Sequence, residues 1–270
     1  MSSSPINLVL VSTKTSLRTL FEAVNTIKEG LRVELNLDVI YVSDLDKLSP
    51  EEVASRISKA DALLVDIRSA VPKHLENSLR ASTAKVVVPL VGGTSSIAYL
   101  RLGAATGEAF TKRMKPLDFD ADRLDAKKVF RIVNSVERVS RTLPVGVLRD
   151  YRNWVWLTNY WVFWGRRNLE NMLKLILSEY FGVKTRFEEP KPEVDNCLYL
   201  PGERRCASEV VAPRRPAVAI FLYGGIHFEQ CLPVAEALAR ELERLGVEAL
   251  FVVGGSAESI LEQLRTLRKF

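Results

Sequence analysis

The sequence predicts an α/β chain: a doubly wound parallel sheet, then a helical segment, then the start of a second α/β unit. Three observations carry this. Four short apolar runs before Gly92 alternate with stretches whose apolar residues recur at helical spacing. The runs are apolar almost throughout, as strands buried on both faces must be. A fresh run opens at Ala217, after a stretch punctuated by prolines.

The elements follow in order. Ile6 to Val11 is the first strand, apolar except for Asn7. Leu17, Leu20, Phe21, Val24 and Ile27 mark a helix face, with Gly30 as its expected left-handed stop. Val33 to Val42 is the second strand. Ser49-Pro50-Glu51-Glu52 is a capping box with proline in the first helical turn, so a helix begins there. Ala62 to Ile67, Pro72 to Ser82 and Lys85 to Val91 complete the third strand, third helix and fourth strand. Parallel neighbours need crossover helices, and a flavodoxin-like strand order is expected. From Ser95 the pattern turns helical, with one face at Val129, Ile132, Val133, Val136 and Val139 and a longer stretch from Tyr151 to Phe181. Five prolines between Glu188 and Pro216 suggest a linker or an edge-strand excursion around Cys197 to Leu200. Strand, helix, strand and helix follow from Ala217, the last helix showing Ile260, Leu261, Leu264 and Leu267. The expected domains are residues 1–145, a helical connector 146–187, a linker 188–216 and an incomplete α/β unit 217–270. Two parallel strands bury too little to stand alone, so more sheet is expected beyond Phe270.

Composition excludes several classes. With 47% hydrophobic and 26% charged residues, the chain has the balance of a soluble protein with a core. No apolar run approaches the roughly 20 residues that cross a bilayer. Three cysteines make no disulfide framework, so a reducing cytoplasm is expected. The net charge of +5 is spread among mixed signs without a long basic run, and neither a nucleic-acid nor a membrane partner is predicted.

Motifs for chemistry are sparse. There is no P-loop and no dinucleotide fingerprint. Gly92, Gly93, Thr94 and Ser95, at a strand-to-helix junction, are the candidate anion site, because amides and a hydroxyl at a helix start can hold an anion. The same residues suit any tight turn. Gly254-Gly255-Ser256 is a second such junction. His74 and His227 are the only histidines, and no C-x-x-C is present, so no metal site and no catalytic residue are predicted. All four tryptophans crowd into Tyr151 to Trp164. A helix aromatic on more than one side is normally buried between layers. The sharper reading stacks a planar ligand on these rings, with Arg152, Arg166 or Arg167 meeting its carboxylates.

Several short matches carry a family resemblance. Tyr160 followed by Gly165-Arg166-Arg167-Asn168-Leu169-Glu170-Asn171-Met172-Leu173 resembles a segment of the cobaltochelatase and magnesium-chelatase large subunits. So do Leu198-Tyr199-Leu200-Pro201, Pro216 to Tyr223 and Pro233 to Leu238, with a weaker match at Ala60 to Arg68. Trp164, Arg167, Leu200 and Gly224 depart from residues usual in that family. The resemblance implies the amino-terminal part of a large chelatase subunit. Its expected role is ATP-dependent insertion of cobalt or magnesium into a tetrapyrrole, without catalysis by this chain alone. It implies partners too: the remaining large-subunit domains, and ATPase subunits on which ATP is expected. This chain itself is expected to bind no cofactor. Tyr160, Trp161, Trp164 and Arg166 become the candidate tetrapyrrole contacts. The alternative is a non-catalytic flavodoxin-like module binding a small anion or a protein partner.

Overall fold

The apolar runs form strands where expected. In the computed structural model β1 (Ile6–Ser12), β2 (Leu35–Tyr41), β3 (Ala62–Asp66) and β4 (Val86–Val91) lie parallel in the order β2-β1-β3-β4. That order is the flavodoxin-like one. Residues 4–13, 16–68, 72–91, 94–114, 146–191, 197–200, 205–207, 213, 215–225, 228–254 and 265 are described. They divide into two units, Met1–Trp161 with Leu169–Glu189, and Val162–Asn168 with Pro190–Phe270. The helices predicted around Val129–Val139 and Ile260–Leu267 lie outside the described residues.

In the first unit the sheet is buried on both faces. Val9, Val11, Leu63, Val65 and Val87 pack on one side with Val53 and Ile57 of α2 (Pro50–Ser58) and Leu75 and Leu79 of α3 (Lys73–Ala81). Leu8, Leu10, Leu64, Val86 and Val88 point the other way and are equally enclosed. Each such side chain contributes roughly 1.5–3 kcal/mol. The first helix, α1 (Arg18–Leu31), runs past Gly30 and stops at Arg32 in the left-handed region, φ 52°. The expected glycine stop is therefore corrected: an arginine takes the left-handed turn, and Gly30 lies within the helix beside open space.

The capping box at the start of α2 is complete. The Glu52 amide donates to Ser49 Oγ at 3.2 Å, and the Ser49 amide donates to Glu52 Oε2 at 2.7 Å. Ser49→Ala is expected to cost about 1 kcal/mol. Urea unfolding measures this, and an unchanged midpoint would count against the cap.

Beyond β4 the sheet is not continued by another parallel strand. The short helix α4 (Thr94–Ile97) leads to two-residue strands β5 (Arg101–Leu102) and β6 (Ala105–Thr106), both antiparallel. Then come α5 (Gly107–Met114), α6 (Val147–Phe163) and α7 (Arg166–Phe181). The single helical stretch expected from Tyr151 to Phe181 is thus two helices. Trp164 and Gly165, at φ 57° and 82°, break it, since consecutive left-handed residues cannot continue a right-handed helix.

The second unit has a four-stranded sheet in the order β8-β7-β10-β9. Here β9 (Ala217–Tyr223) and β10 (Glu248–Gly254) are parallel, joined through α8 (Phe228–Arg244). The segment around Cys197 to Leu200 enters this sheet as β7 (Cys197–Leu200), antiparallel to β10, and β8 (Arg205–Cys206) pairs beside it. Tyr199, Leu222, Phe228, Ala235, Phe251 and Val253 form the core of this unit. The hairpin supplies pairing that the two parallel strands lack by themselves.

Cys197 and Cys206 form a disulfide across that hairpin, while Cys231 is free. This corrects the expectation of reduced cysteines, because antiparallel pairing brings together two residues whose spacing alone implied nothing. Alkylation of the unfolded, unreduced chain is expected to add one label, and three after reduction. Mass spectrometry reads this, and three labels without reductant would rule the bridge out.

Candidate functional site

In doubly wound sheets ligands bind outside the carboxyl ends of the strands, where the strand order reverses. Here that place lies between β1 and β3, and the register sets Ser12 opposite Asp66. Both residues are fully buried. The Thr13 amide donates to the Asp66 carbonyl at 3.0 Å, closing the exit from β1.

A buried carboxylate needs partners of its own. Asp66 has two from the first unit. Arg68 Nε donates to Oδ1 at 3.1 Å, and Trp161 Nε1 donates to Oδ2 at 3.1 Å. The Trp161 indole is itself wholly enclosed. The reversal point is thus occupied by a side chain of α6.

The neighbouring strand helps to seat that helix. The register of β3 against β4 slips between Val65 and Asp66, opposite Pro89. Proline donates nothing to a ladder, and a bulge accommodates it. The Pro89 carbonyl accepts the Trp154 indole N–H at 3.0 Å. One face of α6 therefore reads along the sheet, Trp154 to β4 and Trp161 to β3. Earlier on the helix the Tyr151 hydroxyl donates to the Thr106 carbonyl at 3.2 Å, and the Ala104 amide donates to Asp150 Oδ2 at 2.7 Å.

The opposite side of α6 meets the chain that follows α7. The Tyr160 hydroxyl donates to the Glu188 carbonyl, and Trp156 stands edge-on to Phe187. Burial, with Glu189 and Glu188 nearby, pushes the Tyr160 phenol well above its ordinary range and keeps it a donor. A further polar group lies between α6 and α7. Asn153 Nδ2 donates to the Tyr180 hydroxyl at 3.0 Å, and that hydroxyl donates to Asp150 Oδ1 at 3.2 Å. Burial also raises the Tyr180 phenol, which stays protonated and can make this bond.

The residues singled out from the sequence divide clearly. Tyr160 and Trp161 lie in the core of the first unit, and their polar atoms are satisfied by protein. Trp164, in the second unit, is 1% exposed, and its carbonyl accepts from Asn168 Nδ2 at 2.7 Å. Arg166 is exposed. Gly92 and Gly93 lie outside the described residues, as do the Thr94 and Ser95 side chains; α4 is only four residues long. Gly255, Ser256 and His227 are outside them as well. Sequence reasoning missed Asp66 and Asp150. A carboxylate ending the apolar run Ala62–Val65 was the available signal for the first. Nothing local marked the second.

Among the described residues no three of His, Cys, Asp and Glu stand close enough to hold a metal ion. Nor is any helix among them long and apolar enough to cross a membrane.

Comparison with known proteins finds similarity to the chelatases. Residues 158–270 match the family model described as CobN/Magnesium Chelatase. The chain is similar to a magnesium-chelatase subunit from Chlorobaculum parvum, 24% identical over 195 residues, covering 68% of this chain and 15% of that protein. It is similar also to the catalytic subunit of cobaltochelatase from Mycobacterium tuberculosis, with a TM-score of 0.45 and 12% identity over 97% of this chain and 17% of that one. The chain therefore spans less than a fifth of the length of either relative. The likeness to the CobN/magnesium chelatase family thus rests on residues 158–270 of this chain.

Proposed function

We propose that the chain works as part of a large chelatase subunit, contributing to ATP-dependent insertion of cobalt or magnesium into a tetrapyrrole. The family match over residues 158–270 carries this reading. In it the metal ion is substrate, ATP is hydrolysed on partner subunits, and further large-subunit regions complete the macrocycle site. This chain supplies a scaffold, and no metal insertion is assigned to it alone. Stacking a macrocycle on Tyr160, Trp161 or Trp164 would require these enclosed rings to leave their present neighbours. Arg166 is exposed at the start of α7 and already has a partner of its own.

The test is reconstitution, with macrocycle absorbance reporting metal loading. The purified chain with cobalt or magnesium and a porphyrin or corrin is expected to show no insertion. Adding the remaining large-subunit regions and ATPase subunits is expected to restore it, and omitting this chain from that mixture to abolish it. Equal insertion with and without the chain would defeat the proposal. Insertion by the chain alone would defeat its non-catalytic part.

A further inference from the structure

One face of α6 leaves donors unused. Arg152 and Trp156 are four residues apart and so share a helix face. The Arg152 guanidinium lies 4.6 Å from the centre of the Trp156 ring. One of its nitrogens, Nη2, donates to Asn153 Oδ1 at 3.1 Å. Among the described residues its buried Nε has no acceptor, and neither has the indole Nε1 of Trp156. Trp156 as a whole is 7% exposed. Arg152 pairs with no carboxylate among the described residues, whereas Arg149, one turn earlier, reaches both Asp150 and Glu179 at 3.5 Å.

Such an arrangement is costly unless something completes it. A buried N–H without an acceptor costs about 1–3 kcal/mol, and two lie side by side here. Arg152 is itself partly buried. An oxyanion relieves both defects together, because one carboxylate can accept from the guanidinium fork and from an adjacent indole N–H. Glu188 and Glu189 lie near Tyr160 on this side of the helix, and both have partners of their own. No described residue supplies the acceptor.

We infer that Arg152 and Trp156 form a binding site for a carboxylate, held by the Arg152 guanidinium and the Trp156 indole N–H. The site belongs wholly to the first unit. It stands independently of the chelatase reading: the carboxylate can belong to a small organic acid or to a side arm of a tetrapyrrole.

Indole N–H resonances of the isotope-labelled full chain test it by NMR. The chain has four tryptophans, so the resonance missing from Trp156→Phe identifies Trp156. Titration with sodium benzoate at constant ionic strength is expected to move that resonance downfield and to saturate. Arg152→Lys, which keeps the charge but loses the fork, is expected to bind about tenfold more weakly. Arg152→Gln is expected to abolish saturation. Should Trp156→Phe fail to fold, Arg152→Gln still supplies the comparison, because Arg152 is only half-buried. A carboxylated porphyrin and its methyl ester separate the sources. Saturation by the porphyrin acid well below the benzoate range identifies a macrocycle arm, and saturation by benzoate alone identifies a small acid and leaves the chelatase reading to its own test. A resonance that never saturates overturns the inference. So does one that shifts equally in Arg152→Gln, or one that responds to the ester as strongly as to the acid.

Discussion

Trp161→Ala is expected to lower the stability of the first unit by about 4 kcal/mol, the loss for a fully buried tryptophan. Two effects add. The indole is 0% exposed, so its removal leaves a void beside β3. It also removes one of the two side-chain donors that, among the described residues, hold the buried Asp66 carboxylate. Trp161→Phe separates them, since most of the volume remains while the N–H is lost. That variant should cost about 1–3 kcal/mol, the range for a hydrogen bond to a buried charged group. Denaturant unfolding measures both. Wild-type stability in Trp161→Phe would mean that the bond to Asp66 contributes nothing, and a cost below about 1 kcal/mol for Trp161→Ala would contradict the enclosed position itself.

Gly103→Ala is the second large effect, at about 3 kcal/mol from two separate causes. Gly103 has φ 58°, a conformation that costs an L side chain about 1–2 kcal/mol. An added Cβ would also lie 2.3 Å from Asp150 Oδ2. That carboxylate cannot swing aside freely, because it accepts from the Ala104 amide and the Tyr180 hydroxyl while 2% exposed. A double-mutant cycle with Asp150→Ala isolates the second cause. In that background Gly103→Ala should cost only the conformational part, about 1 kcal/mol, leaving a coupling above about 1 kcal/mol. Strict additivity would show that the two residues do not oppose each other.

How much the sequence disclosed depended on how local each cause was. The four parallel strands were legible because runs such as Ala62–Val65 are apolar throughout, and the Ser49–Glu52 cap was legible because both its partners lie within one turn. The break at Trp164 and Gly165 was hidden, since apolar spacing continues on both sides of it. Strands of two residues, such as β5, β6 and β8, are too short to show any period. Asp66 and Trp161 are 95 positions apart, and Arg152 is distinctive only for the Nε that finds no acceptor among the described residues. Both are products of tertiary packing. The disulfide belongs to the same class, because only the pairing of β7 with β8 brings its sulfurs together.

The two left-handed residues after α6 bear on how the protein can be dissected. The second unit takes the last two residues of α6, the break itself and the opening three residues of α7, so the chain passes between units twice inside helices. A fragment starting at residue 158, where the family match begins, would sever α6 between Trp154 and Trp161. The piece carrying Asp66 would then be left without its indole partner, and the detached Trp161 would present a bare aromatic surface to water. Excision at that boundary should therefore give two sticky, mutually dependent halves, and co-expression of both is the natural route to recovering either in soluble form.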